Sequence, residues 1–160
     1  LQMERINFVE LINQTIGEFM EKMEEKCLQV IPVMPERPVY IEADSRRIWR
    51  VVENLFGNVY KYALEGTRVY LDLTEKEENG QKTAVFSMKN ISAQPLNIDA
   101  DELTERFIRG DVSRSTEGSG LGLSIAKNLT ELQNGKFDIY LDGDLFKVIL
   151  TFPCMEEEKA

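Results

Sequence analysis

Three glycines alternate with other residues in Gly118-Ser119-Gly120-Leu121-Gly122-Leu123, and the chain then turns helical. Leu121, Ile125, Leu129 and Leu132 fall on one helical face, and Asn134-Gly135 supplies a stop. Glycine tolerates positive φ and lets another group approach the backbone closely. The first turn of a helix carries unpaired N–H groups and partial positive charge, so the junction suits an anion such as phosphate. An ordinary Gly-rich turn before a core helix has the same pattern, so the rest of the chain must decide. Earlier, Asn54, Asn58 and Lys61 share a stripe beside the apolar side made by Ile48, Val51, Val52, Leu55 and Val59. Asparagine is worse than alanine inside a helix by about half a kcal/mol or more. Two of them one turn apart need a reason. Capping or exposure is one. The other is chemistry: amide oxygens suit a hard cation such as Mg²⁺, and lysine suits phosphate.

The whole chain narrows the choice. Its 160 residues, 42% of them hydrophobic, suffice for one domain with a sizeable core. A net charge of −9 makes nucleic acid and anionic membrane poor partners. A nucleotide would then need a local basic cluster, which Lys61, Arg106, Arg109, Arg114 and Lys127 could supply. No apolar run approaches the roughly 20 residues of a membrane span, and no signal peptide is visible. Cys27 and Cys154 lie far apart and read as isolated thiols in a reducing compartment. With no histidine present, Ser-His-Asp and Cys-His catalysis and His-ligated metals are excluded within the chain. The chain opens on Leu1 rather than methionine, as expected of a piece of a longer protein.

The elements that must position these residues follow from periodicity. Residues 1–6 read as a lead-in and Asn7 to Leu11 as a brief strand. Leu11, Ile12, Thr15, Ile16, Phe19 and Met23 then have helical spacing. Leu28 to Val33 reads as an edge strand because of Pro32, with Val39 to Glu42 as its hairpin partner. Asp44 caps a long helix reaching about Leu64, closed by Gly66. Val69 to Leu73 and Ala84 to Met88 alternate around Asn79-Gly80, a hairpin signal. Ile91 to Glu117 holds one short helix, from Asp99 to Phe107, in a connection long enough to be a lid. Phe137 to Leu141 and Phe146 to Leu150 form a last hairpin at Asp142-Gly143. This order predicts an α/β sandwich: a mixed, mostly antiparallel sheet with helices on one face.

Asn54-x-x-x-Asn58-x-x-Lys61-Tyr62 resembles the N box of bacterial sensor histidine kinases. Glu105-Arg106-Phe107-Ile108-Arg109-Gly110 resembles their F box, and Gly118 to Leu123 their second glycine box. The motifs occur in the family's order and spacing. The resemblance implies the Bergerat ATP-binding fold, shared with gyrase, mismatch-repair ATPases and a heat-shock chaperone. It runs over residues 7–153, leaving 1–6 as the end of an upstream linker or dimerisation region and 154–160 as an acidic, disordered tail. By resemblance, Asn58 is the principal Mg²⁺ ligand, with Asn54 beside it. Lys61 meets phosphate and Tyr62 lines the adenine pocket. Phe107 packs the lid, Arg109 and Arg114 reach phosphate, and the backbone of Gly118, Ser119, Gly120, Leu121, Gly122 and Leu123 wraps the triphosphate. Asn58, Lys61 and Arg109 are the expected catalytic residues.

One motif departs from the family. Its first glycine box reads Asp-x-Gly-x-Gly, the Asp accepting from the adenine amino group. Here the strand ends in Lys89-Asn90-Ile91-Ser92-Ala93-Gln94. An Asn90 oxygen can still accept that bond, at a loss of roughly 1 kcal/mol or about fivefold in affinity. The resemblance implies a kinase domain that passes the ATP γ-phosphate to a histidine on an upstream helical hairpin, for relay to a response regulator. It also implies a monomeric, cytoplasmic fragment whose full protein is anchored in the inner membrane by other segments. A hydrolase of the same superfamily is a second reading. Those enzymes carry a Glu base where this chain has Asn54, and Glu53 is turned about 100° away, which disfavours hydrolysis. A degenerate nucleotide-binding or partner-binding module is a third, motivated by the altered glycine box.

Overall fold

In the strand Gln81–Ile91, burial alternates: Ala84, Phe86, Met88 and Asn90 point inward, the last an amide where the pattern calls for an apolar residue. A computed structural model describes residues 1–96 and 121–155. In chain order these form β1 (Met3–Asn7), α1 (Phe8–Glu25), β2 (Gln29–Val33), β3 (Tyr40–Asp44), α2 (Ser45–Tyr62), β4 (Arg68–Glu78), β5 (Gln81–Ile91), α3 (Leu121–Leu132), β6 (Lys136–Asp142) and β7 (Leu145–Met155). The strands make one sheet in the order β1-β3-β7-β5-β4-β2, with β6 also paired to β7. All pairings are antiparallel except β2 with β4. This is the predicted α/β sandwich.

The core lies between the inward face of the sheet and the helices. Leu71 and Leu73 of β4, Phe86 of β5, and Leu150 and Phe152 of β7 meet Phe8, Ile12, Ile48, Val52 and Leu55 of the helices. Burying each such side chain is worth about 1.5–3 kcal/mol. The Phe8 ring packs edge-on against Phe86 and Phe152, with centroids 5.9 and 6.0 Å away. Phe19 and Phe56 join α1 to α2 at 5.5 Å. Gly135, just past α3, lies against the sheet: a Cβ there would sit 2.6 Å from the Phe152 ring and 2.9 Å from the Thr130 γ-methyl.

Several expectations hold. Asn79 and Gly80, at φ 53° and 78°, make the tight β4–β5 turn, and Asn134 at φ 66° ends α3. Asp44 caps α2, accepting from the Arg46 and Arg47 N–H groups at 3.1 and 3.2 Å. Cys27 and Cys154 are both free thiols.

Four expectations need correction. Residues 3–6 are not a lead-in but most of β1, paired with β3. Asn7 to Leu11 is not a strand: Asn7 caps α1, its side chain accepting from the Glu10 N–H at 3.2 Å. β2 and β3 are not a hairpin, because β7, β5 and β4 lie between them and β2 pairs with β4. Finally, α2 stops at Tyr62 rather than Leu64, and Gly66 (φ 78°) serves the turn into β4. The short helix expected from Asp99 to Phe107 and the tail at 156–160 lie outside the described residues.

Candidate functional site

Helices α2 and α3 run antiparallel. Two contacts at opposite ends set their direction. A Cβ on Gly122, in the first turn of α3, would lie 3.9 Å from the Asn54 Cβ, midway along α2. At the far end, the buried Gln133 accepts from the Asp44 N–H at 2.9 Å and donates to Leu129 O at 2.8 Å. The start of α3, with its outward N–H groups, therefore meets α2 at Asn54. The last two turns of α2, carrying Asn58, Lys61 and Tyr62, run on past it.

The end of α2 is fastened to the end of β5. The Ala93 N–H donates to Tyr62 O and the Leu64 N–H to Ile91 O, both at 2.8 Å, and Ala63 bridges Ser92. The Ser92 N–H donates to Asp144 O at 2.7 Å, while its side-chain oxygen accepts from the Gln94 N–H at 3.2 Å. Ser92 and Gln94, which stand where glycines were expected, thus form a side-chain-locked turn. The arrangement brings Tyr62 and the buried Asn90 to one corner.

Open valences lie along this stretch, from the start of α3 to that corner. Asn54 Nδ2, Tyr62 OH and Asn90 Oδ1 are buried and have no hydrogen-bond partner. A buried unpaired polar group costs about 1–3 kcal/mol, so such groups call for a partner. An acceptor at Asn90 Oδ1 fits an amino donor, and an Asn54 amide can turn its oxygen where its nitrogen now lies. Asp72 Oδ1 is another such atom, on the sheet face away from the helices. Asn58 is half-buried and Lys61 exposed.

Of the predicted site residues, Asn54, Asn58, Lys61, Tyr62, Asn90, Gly122 and Leu123 are gathered on α2, the end of β5 and the start of α3. Leu123 is buried, and Leu121 opens α3. Phe107, Arg109, Arg114, Gly118, Ser119 and Gly120, with Arg106, lie outside the described residues. Lys26 has no signal in the sequence, yet its ammonium donates to the Tyr60 and Lys61 carbonyls. Its partners are too distant along the chain for any local pattern to show them.

The neighbourhood also carries charge effects. The Tyr60 hydroxyl donates to Glu25 Oε2 at 2.9 Å, which holds the phenol above its ordinary pKa. At the opposite end of β5, a cavity of about 460 Å³ is lined by Arg37, Glu75, Lys82 and Cys154. Glu75 there pairs with Arg37 at 2.5 Å, and burial pushes the Cys154 thiol up, away from reactivity. Among the described residues no cluster of three His, Cys, Asp or Glu is placed to hold a metal.

Comparison with known proteins agrees with this fold. Residues 43–156 match the family described as histidine kinase-, DNA gyrase B-, and HSP90-like ATPase. Sensor histidine kinase WalK of Bacillus subtilis is 30% identical over 161 residues, covering 98% of this chain and 26% of that protein. The chain thus spans about a quarter of that relative. Among solved structures, the catalytic domain of histidine kinase ThkA superposes with a TM-score of 0.76 at 24% identity, covering 96% of each chain. Full-length ShkA in complex with AMPPNP superposes at 0.77 and 20% identity, covering 99% of this chain and 32% of that one. At these identities the two structures establish the shared fold.

Proposed function

We propose, for a chain that belongs to the histidine kinase-, DNA gyrase B- and HSP90-like ATPase family and is a catalytic ATP-binding domain of the sensor histidine kinase type, that it passes the ATP γ-phosphate to a histidine outside its own 160 residues. The observation that carries the reading is the set of buried, unpaired atoms on Asn54, Tyr62 and Asn90, beside the start of α3. Asn90 Oδ1 would accept from the adenine amino group, with Tyr62 along the base. Lys61, with Arg109 and Arg114, would meet phosphate. The N–H groups from Gly118 to Leu123 would cradle the triphosphate, and Phe107 would pack over it. Asn58 and Asn54 would hold Mg²⁺ through amide oxygens, and the ion when bound would neutralise phosphate charge.

The chain's own contribution is positioning. It orients a triphosphate between two helices so that the terminal phosphoryl faces an incoming nucleophile, and such catalysis is mostly placement and charge stabilisation. With no histidine, the chain cannot label itself on that residue. The acceptor is proposed to lie on an upstream helical hairpin, from which phosphate goes on to a response regulator. Among the described residues no helix is long and apolar enough to cross a membrane, so membrane anchoring would belong to other segments.

The test is a Mg²⁺-dependent ATP isotherm, followed by labelling of the upstream hairpin with radiolabelled ATP. The expected result is saturable binding and an acid-labile phosphohistidine on the hairpin. Binding without any such label would leave a nucleotide-binding module rather than a kinase, and vigorous phosphate release by the chain alone would favour a hydrolase.

A further inference from the structure

We infer that Lys26, at the end of α1, is a positioning residue for the base of the nucleotide, holding the last turn of α2 so that Tyr62 keeps its place beside Asn90; the inference rests on the nucleotide reading of that site. A helix leaves its last four carbonyls without intrahelical partners. In α2 these belong to Val59, Tyr60, Lys61 and Tyr62. Ala63 N–H serves Val59 O at 2.9 Å, and Ala93 N–H serves Tyr62 O at 2.8 Å. The two between them, Tyr60 O and Lys61 O, both accept from the single ammonium of Lys26, the second at 3.3 Å. A positive charge at that end also complements the helix dipole.

The same residue holds the far side of the turn. Its carbonyl accepts from the Gly66 N–H at 3.0 Å, so Lys26 grips the chain both before and after Ala63. Its ammonium also stands 5.1 Å from the centre of the Tyr60 ring, whose hydroxyl is tied to Glu25. Water could satisfy carbonyls at an exposed helix end with no such device. A fixed cation instead sets the height and rotation of the turn that carries Tyr62. Tyr62 OH and Asn90 Oδ1 are both buried and unpaired, and their mutual placement decides which base edge can meet them. Lys26 itself touches no part of the proposed nucleotide.

The experiment titrates Mg·ATP and Mg·GTP into the 160-residue chain as wild type, Lys26→Met and Lys26→Arg, with melting curves and amide exchange at Ala93. Lys26→Met is expected to lose about tenfold in ATP affinity, to narrow the preference for ATP over GTP, and to exchange faster at Ala93; Lys26→Arg restores all three. A Lys26→Met chain with a lower melting temperature but wild-type affinity and base preference overturns the inference, leaving Lys26 a structural cap. Should that variant fail to fold, Lys26→Gln, which keeps amide N–H donors without the charge, is expected to fall between the two, and wild-type behaviour from it overturns the inference. Wild type that binds no Mg·ATP overturns the nucleotide reading together with this one, whereas failure in the variant arm alone leaves that reading standing.

Discussion

The two halves of α2 treat polar atoms in opposite ways. At the first, Asp44 accepts from Gln2 N–H at 2.8 Å, from Arg46 and Arg47 N–H, and from the Arg47 guanidinium at 2.7 Å, while its own N–H is taken by Gln133. In the second half, Asn54, Tyr62 and nearby Asn90 keep buried atoms unpaired. The helix is equally well packed along its length, with Ile48 and Val59 both buried. The difference teaches where structure ends and recognition begins. A closed polar network rigidifies, whereas a buried unpaired group calls for a partner, which the proposed nucleotide would supply.

That contrast can be broken by substitution. The largest effect is expected from Asn58→Ala in the open half, which should cut phosphotransfer to the upstream hairpin at least about 100-fold while leaving the melting temperature near wild type. Radiolabel incorporation beside a melting curve checks both parts. In the closed half, Gln133→Leu leaves the buried Asp44 N–H unpaired and should cost about 1–3 kcal/mol of stability by denaturant titration. Its ATP affinity should not move; a large drop there would erase the division between the halves.

Two smaller effects sharpen it. Asn90→Asp should leave ATP affinity equal or tighter, by up to about fivefold, because a charged acceptor makes the stronger bond. Without nucleotide the same variant should melt lower, since its carboxylate would be buried and unpaired. Much weaker ATP binding would remove Asn90 from the base pocket. The smallest effect is pH dependence at Asp44. The bond from the Gln2 N–H, helped by the Arg47 N–H and guanidinium, lowers its pKa from 3.8 to about 2. Because the folded value is depressed, the stabilisation is complete above 3.8 and fades as pH falls toward 2. Acid melting of Asp44→Asn should lack that decline, while ATP titrations near neutrality stay unchanged.

Much of this was legible because it is local. Asp44, Asn79-Gly80 and Asn134-Gly135 mark boundaries by their own backbone preferences, and alternation in β4 and β5 marks the buried face. Asn54 and Asn58 stood out by being wrong for a helix interior, and Asn90 by standing where the resembled family's first glycine box has an aspartate. What escaped is non-local. Nothing in Gln29–Val33 says that its partner is Arg68–Asp72 rather than the next strand along. Asn7 followed three residues later by Glu10 was a cap signature, obscured by the strand-like Phe8, Val9 and Leu11. Lys26 acts through carbonyls across a turn of the fold, and carbonyls carry no sequence identity.

Gly135 gives the architecture its tolerance. With 2.6 Å between a hypothetical Cβ and the Phe152 ring, any side chain there must lift α3 off the strands or push that ring into Phe8. The seating of the C-terminal end of α3 on the sheet is therefore set by an atom that is missing. Enlarging that residue would shift that end of the helix while leaving every side chain of the proposed nucleotide site as it is.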